Sequence, residues 1–147
     1  MTHDKQLRIL LADDDEDDAY LFQEALDQIP AQIQLIVAEN GMRLMEILKS
    51  GNFKPDLIFL DMNMPIKNGL ECLAEIKQLE AFKDIKVIIL STSIAQHLLD
   101  SAYAGGAHLY IQKPTSFAAL IDILRRCLAT ESANEPLLGM EQFLIPN

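Results

Sequence analysis

The side chains that could carry chemistry in this sequence are polar residues that each end or follow a short apolar run, namely Asp13, Asp14, Asp61, Ser91 and Lys113. The two adjacent aspartates offer hard oxygen ligands of the kind that Mg²⁺ takes in proteins. A third carboxylate can act as a ligand or a nucleophile, and a hydroxyl and an ammonium can contact phosphoryl oxygens. Together these groups are the parts needed to move a phosphoryl group.

Each of these residues also has an ordinary structural interpretation when it is taken alone. Asp61 could cap a loop or the next helix, Ser91 could cap a helix, and Lys113 could be a surface cation. Asp13 and Asp14 open a run of six acidic residues, of which Glu16, Asp17 and Asp18 are expected to form a solvated helix start favoured by the helix dipole. The chemical interpretation therefore depends on whether the fold brings the strand ends together.

The elements that must position these residues are indicated by alternating apolar patterns. Five runs rich in Ile, Leu and Val are predicted strands: Arg8–Ala12, Gln34–Ala38, Asp56–Leu60, Lys86–Leu90 and His108–Ile111. Five segments with apolar residues at helical spacing are predicted helices: Asp17–Gln28, Met42–Lys49, Leu70–Leu79, Ala95–Ala104 and Ser116–Ala129. Thr115 or Ser116 can cap the last helix, and Gly105-Gly106 is expected to end the fourth in left-handed conformations.

Several predicted strands are apolar at consecutive positions, which is typical of parallel sheets covered by helices on both faces. The alternation of strands and helices predicts an α/β fold of the doubly wound (βα)₅ type with one core. In such sheets ligands bind outside the carboxyl ends of the strands. Asp13, Asp61, Ser91 and Lys113 all fall at that edge, so the sequence predicts one shared site.

Composition excludes several other classes of protein. The net charge is −10 and no cluster of Lys and Arg offsets it, so direct nucleic-acid binding is not expected. The apolar runs are too short for a membrane span, and the first residues lack the pattern of a secretory signal. Cys72 and Cys127 lie among apolar neighbours and are expected to be buried core residues. A cytoplasmic location is expected.

Four motifs make the sequence resemble the receiver domains of two-component response regulators: Leu-Ala-Asp-Asp-Asp, Asp-Met-Asn-Met-Pro-Ile-Lys-Asn-Gly, Leu-Ser-Thr-Ser and Tyr-Ile-Gln-Lys-Pro. They occur in this order between about Gln6 and Ala129, on the predicted strand ends. The version of the motifs is most similar to the stand-alone regulators encoded with phytochrome-type sensor kinases. The resemblance implies a flavodoxin-like five-stranded parallel sheet with strand order 2-1-3-4-5.

The resemblance also implies a role for each residue at the strand ends. Asp61 is the expected phosphoacceptor, and Asp14, Asp61 and the backbone carbonyl of Asn63 are the expected ligands of Mg²⁺ or Mn²⁺. Asp13 completes the acidic pair and is expected to reach the metal through water. Ser91 matches the switch hydroxyl, and Lys113 matches the lysine that contacts the phosphoryl oxygens.

Further positions near the site are expected to shape the switch. Tyr110 matches the aromatic residue whose exposure changes when the hydroxyl moves, although it could equally be ordinary core packing. Thr92 stands where the family usually has Ala or Gly, and with Asn63 and Ser93 it predicts slow self-dephosphorylation. The Lys113-Pro114 peptide is expected to be cis, as in the family.

The expected protein is a single-domain response regulator that is phosphorylated by a sensor histidine kinase or a phosphorelay and acts through a protein contact. The receiver domain is predicted at 6–129, followed by a tail at 130–147 with no separate output domain. Apolar tail residues are expected to be buried: Leu137, Leu138, Met140, Phe143, Leu144 and Ile145. The tail could pack on its own domain or across a dimer partner. The face formed by helix four, strand five and helix five is the expected surface for a downstream protein or a homodimer.

Three other functions would fit parts of the same pattern. A phosphatase of the haloacid-dehalogenase type needs a second aspartate where this chain has Asn63. A flavodoxin-like FMN carrier needs a Ser/Thr/Gly-rich phosphate loop in place of the acidic run. A receiver that works without phosphorylation usually lacks site residues that are present here. Beyond modification of its own aspartate, no enzymatic activity is expected.

Overall fold

The computed structural model describes residues 6–131 and 143–146, which form a parallel sheet between two layers of helices. The strands are β1 (Leu7–Ala12), β2 (Ile33–Ala38), β3 (Leu57–Asp61), β4 (Lys86–Ser91), β5 (Leu109–Gln112) and β6 (Leu144–Ile145). The helices are α1 (Glu16–Asp27), α2 (Gly41–Ser50), α3 (Gly69–Gln78), α4 (Gln96–Ala104) and α5 (Phe117–Glu131). Among these residues, no helix is long and apolar enough to cross a membrane.

The strand order is β2-β1-β3-β4-β5-β6, with every neighbouring pair parallel. The predicted order of the first five strands is therefore confirmed, and the sheet gains a sixth strand that the sequence did not predict. β6 pairs with β5 through Tyr110 with Leu144 and Ile111 with Ile145. Of the tail residues expected to be buried, Leu137, Leu138 and Met140 lie outside the described residues.

Two apolar cores cover the two faces of the sheet, because side chains along a strand alternate between faces. In β1, Leu10 and Ala12 face the core formed with α2, α3 and α4, whereas Ile9 and Leu11 face the core formed with α1 and α5. Consecutive apolar residues in the sequence thus correspond to a strand buried on both sides, as predicted.

Most helix starts in this fold have a polar cap at the strand-to-helix turn, whereas α4 begins after Ala95 without a side-chain cap. Asn40 accepts a hydrogen bond from Arg43 N–H at 2.8 Å and begins α2. Ser116 accepts one from Ala119 N–H at 3.1 Å at the start of α5, which confirms one of the two predicted caps. These caps satisfy N–H groups that have no partner within the helix.

Two backbone predictions are wrong. Gly105 has φ −76° and only Gly106, at φ +95°, is left-handed; one such residue is enough to turn the chain after a helix. The described residues contain no cis peptide bond, so Lys113-Pro114 is trans. The trans form is the intrinsic preference of an X-Pro bond, by about 0.5–1 kcal/mol.

Candidate functional site

The site lies at the carboxyl ends of β1, β3, β4 and β5, where the turns after these strands meet. Asp13 follows β1, Asp61 and Ser91 are the last residues of β3 and β4, and Lys113 follows β5. Backbone hydrogen bonds tie these ends to neighbouring strands: Asp13 N–H donates to Ala38 O at 3.0 Å, and Lys113 N–H donates to Ser91 O at 2.8 Å. The parallel register therefore places the four residues at one edge of the sheet.

Three carboxylates converge at this edge. Oxygen atoms of Asp13, Asp14 and Asp61 lie within 4.8 Å of one another. Asp13 is 5% exposed and Asp61 is 3% exposed, whereas Asp14 is open to solvent. A cluster of hard oxygen donors with one side open to water fits a divalent cation such as Mg²⁺, which keeps several water ligands.

Burial strongly affects the charge of Asp13. Desolvation raises the pKa of its carboxyl to about 7, and the nearby charge of Asp61 acts in the same direction, against the hydrogen bond from Asp15 N–H. A bound cation would favour the charged form and reverse this effect. The carboxylates are thus crowded in a way that a cation would relieve.

Lys113 is the cationic side chain at the site. Its Nζ lies 3.2 Å from Asp61 Oδ1 and 3.5 Å from Asp18 Oδ2. Burial opposes the charge of Lys113, but Asp61, Asp13 and Asp18 together raise the pKa of the ammonium above its ordinary value. The lysine therefore remains charged next to the carboxylate of Asp61.

The loop after β3 is hydrogen-bonded to the Asp61 carboxylate. Asn63 N–H donates to Asp61 Oδ1 at 3.3 Å, which places the Asn63 backbone beside the carboxylate. Gly69, at the start of α3, lies directly against the strand end, and a Cβ atom there would be 2.8 Å from the Asp61 carbonyl oxygen. Glycine is required at this close approach, and it lets α3 begin immediately beside the site.

Ser91 and Tyr110 lie on the other side of the site. Ser91 is fully buried, and its Oγ accepts a hydrogen bond from Ser93 N–H at 3.1 Å. Tyr110 is also fully buried, and its hydroxyl donates to Ser93 O at 2.7 Å. The Tyr110 hydroxyl is therefore hydrogen-bonded to the loop after β4 and not to Asp61. Thr92, between the two serines, is exposed.

Two contributions of the acidic run were missed in the sequence. Asp15 caps α1 by accepting from Asp17 N–H at 2.9 Å and Asp18 N–H at 3.0 Å. Asp18 is expected from the sequence to be merely solvated, yet its carboxylate pairs with Lys113. The position of Asp15 just before the helix was a usable signal for the cap, whereas the pairing of Asp18 depends on the approach of β5 to α1.

A cavity of about 160 Å³ opens beside Asp13 and Lys113, between α1 and α5. Its apolar walls include Leu21, Phe117 and Leu120. Leu21 and Phe117 are 45% and 41% exposed, so a binding partner can reach both side chains. The edge of the site thus combines a charged centre with an apolar approach.

Comparison with known proteins identifies the family. The family model of the response regulator receiver domain matches residues 9–125. The chain is 34% identical to response regulator Rcp1 of Synechocystis sp. over 80% of this chain and 83% of that protein. It is 36% identical to chemotaxis protein CheY of Halobacterium salinarum over 80% of this chain and 96% of that protein.

Solved structures agree with the sequence comparison. The phosphorylated cyanobacterial phytochrome response regulator RcpA aligns with a TM-score of 0.82 and 31% identity, covering 92% of this chain and 100% of that one. The Mn²⁺-bound form of Rcp1 aligns with a TM-score of 0.78 and 30% identity, covering 90% and 99%. The chain belongs to the response regulator receiver family, whose members signal through phosphorylation, and the rival phosphatase and FMN-carrier functions are not favoured.

Proposed function

We propose that this protein is a phosphorylation-dependent signalling switch in which Asp61 accepts the phosphoryl group. The observation that carries the proposal is the position of the buried Asp61 carboxylate, 3.2 Å from Lys113 Nζ and within 4.8 Å of Asp13 and Asp14. One strand end thus presents a nucleophile between a cation and a metal-binding pair. This is the arrangement that phosphoryl transfer requires, because catalysis there is mostly positioning and charge neutralisation.

In the transfer step an oxygen of Asp61 attacks phosphorus and forms an O–P bond. The P–N bond of a phosphohistidine, or the P–O bond of an acyl phosphate, breaks, and its electron pair leaves with the donor group. Lys113 contacts the phosphoryl oxygens, and the Ser91 hydroxyl can turn from Ser93 N–H to donate to them. A divalent cation would be held by Asp14, Asp61 and the Asn63 carbonyl, with Asp13 acting through water, and would supply further positive charge.

The phosphodonor is proposed to be a sensor histidine kinase or a phosphotransfer protein. The apolar walls of the cavity beside Lys113, with exposed Leu21 and Phe117, give such a partner a surface next to Asp61. Of the similar solved structures, one is a phosphorylated phytochrome response regulator and another is a Mn²⁺-bound regulator, and both resemble this chain over most of its length. A cytoplasmic location is proposed, where such a phosphodonor could reach Asp61.

Signal output is proposed to be a protein contact through α4, β5 and α5, including a homodimer through this face or the tail. Residues 6–129 are proposed to be the receiver unit and residues 130–147 a tail. No nucleic-acid contact is proposed, since the net charge is −10. The chemistry of the chain itself is proposed to be limited to gaining and losing its own phosphoryl group.

The proposal is tested by incubation with acetyl phosphate and Mg²⁺ followed by intact mass spectrometry. We expect the mass of one phosphoryl group to be added to the natural chain and to the control variant Asp84→Asn. Asp84 is exposed and lies just before β4, at the amino end of that strand, whereas the site lies at the carboxyl ends. Asp61→Asn and a sample with chelated metal should gain none. Equal phosphorylation of Asp61→Asn would show that the acceptor is elsewhere.

A further inference from the structure

The C-terminal strand covers the outer edge of the sheet next to Tyr110. β6 pairs with the middle of β5, with Leu144 packed against the core of α2, α3 and α4 and Ile145 packed against the other core. Phe143, just before β6, is fully buried. A short edge strand with a buried aromatic residue at its start is therefore fixed to this side of the domain.

Phe143 contacts two tyrosines. Its ring lies edge-on to Tyr103, with centroids 5.2 Å apart, and tilted against Tyr110, with centroids 6.1 Å apart. Both distances are within the range of favourable aromatic pairs. Tyr110 is fully buried in this arrangement, so the ring of Phe143 helps to keep the Tyr110 ring away from solvent.

A short series of contacts leads from Phe143 to the end of β4. Tyr110 donates its hydroxyl hydrogen to Ser93 O at 2.7 Å, and Ser93 N–H donates to Ser91 Oγ at 3.1 Å. Ser91 is the last residue of β4, adjacent to Asp61 in the sheet because Leu90 pairs with Asp61. The position of the loop that carries Thr92 is thus tied to Tyr110 on one side and to the site on the other.

We propose that residues 143–146 form a lock that holds Tyr110 buried and thereby fixes the loop 91–93. Tyr110 can become exposed only when the strand leaves its edge. The lock itself is a property of the fold, whereas its regulatory role rests on the proposed function. In that role, docking of the C-terminal strand and phosphorylation of Asp61 influence each other, because coupling between two sites is reciprocal. Phe143 and Tyr110 are positioning residues in this scheme.

The mobility of the loop 91–93 sets the direction of the coupling. Release of Tyr110 removes the hydrogen bond that holds Ser93 O, and the loop that carries Ser91 and Thr92 becomes looser. A looser loop positions the Ser91 hydroxyl less well and lets water approach Asp61 more easily. Loss of the lock should therefore shorten the lifetime of the phosphoryl group.

Nitration of tyrosine by tetranitromethane, read by peptide mass spectrometry, tests the lock in the unphosphorylated protein. The chain has three tyrosines, and Tyr20, 63% exposed on α1 and far from Phe143 in the fold, is the internal reference in the same sample. In Phe143→Ala the nitration of Tyr110 should rise by more than about tenfold, as expected when a local contact is lost, while that of Tyr20 stays the same. Phe143→Leu, which keeps apolar volume, should give a smaller increase.

Unchanged nitration of Tyr110 in folded Phe143→Ala would overturn the lock. If Phe143→Ala does not fold, hydrogen exchange and nitration of Tyr110 are measured together on the natural chain in low urea. The lock requires Tyr110 to react only as the β6 amide that faces β5 begins to exchange. Reaction of Tyr110 while this amide remains protected would overturn it.

The regulatory role is tested separately by decay of phosphorylated protein after removal of acetyl phosphate. Phe143→Ala should lose its phosphoryl group at least about fivefold faster than the natural chain, which is the lower end of the range typical for coupled sites. Equal decay would overturn the coupling while leaving the nitration result intact. If the natural chain takes up no phosphoryl group, the proposed function and the coupling both fail, and nitration still decides whether the lock exists.

Discussion

At the scale of single residues, the site is dominated by negative charge in a confined space. Asp13, Asp14 and Asp61 place carboxylate oxygens within 4.8 Å of one another, and Lys113 supplies one positive charge beside them. Burial raises the pKa of Asp13 to about 7, and the nearby charge of Asp61 adds to this effect. Most of these residues were predictable, because buried strands of the doubly wound fold end at one edge and their last polar residues must meet there.

The lifetime of the phosphoryl group should depend on Thr92. Its side chain stands in the exposed loop between Ser91 and Ser93, where its bulk can hinder the approach of water to Asp61. We expect Thr92→Ala to lose the phosphoryl group several-fold faster. The increase should stay below the roughly tenfold change in rate that lowering the activation barrier by about 1.4 kcal/mol would give. Thr92→Val keeps the bulk without the hydroxyl and should decay like the natural chain. Decay of Thr92→Ala at the natural rate or more slowly would contradict this role.

Ile66 is held in an unfavourable backbone conformation in the loop after β3. It has φ +71° and is 73% exposed, so little burial offsets a conformation that disfavours β-branched residues. We expect Ile66→Asn to raise the free energy of unfolding by about 1 kcal/mol, because Asn tolerates the left-handed region. Urea denaturation measures this, with Ile94→Asn as a control at another exposed isoleucine. An equal effect in both variants would exclude relief of strain as the cause.

At the scale of elements, the strand and helix predictions agree with the structure to within one or two residues at most ends. The agreement arises because apolar runs of the predicted strands are bounded by polar residues, as at Asp61 and Ser91. β6 was not predicted as a strand, because two residues carry no periodic pattern and their pairing depends on contact with β5. Phe143 is fully buried, as its apolar character predicts, whereas Leu144 and Ile145 are only partly buried.

The start of α3 depends on a reciprocal cap. Asn68 accepts from Glu71 N–H at 2.8 Å, and the Glu71 carboxylate accepts from Asn68 N–H at 2.9 Å. We expect Asn68→Ala to lower the free energy of unfolding by about 1 kcal/mol, measured by urea denaturation. Asn52→Ala, in the exposed turn after α2, should change it little. A stability equal to that of the natural chain would mean that the cap contributes nothing to folding.

At the scale of the whole molecule, the sheet separates two cores that each contain one cysteine. Cys72 lies in the core of α2, α3 and α4, and Cys127 lies in the core of α1 and α5. Burial raises the pKa of the Cys72 thiol to about 11 and that of Cys127 to about 12. Since the thiolate is the reactive form, both residues should be inert in the native protein at neutral pH.

These thiols can show whether the two cores unfold together. We expect Cys72 and Cys127 to react with iodoacetamide only as urea unfolds the chain, with the same midpoint, because both cores are built on the strands of one central sheet. Peptide mass spectrometry measures the two thiols separately in one sample. Labelling of one thiol at clearly lower urea would show that its core opens independently of the other.

The two borders of the sheet differ in a way that limits how copies of this chain can join. β2, six residues long, forms one border, and β6, two residues long, forms the other. A long edge strand is a template for pairing with another molecule, whereas a very short one offers few backbone groups. Growth of a fibre by edge pairing requires a pairing border on each side of every molecule. Association of two copies through β2 would leave only the two-residue edge of β6 on each copy and would therefore stop at a pair.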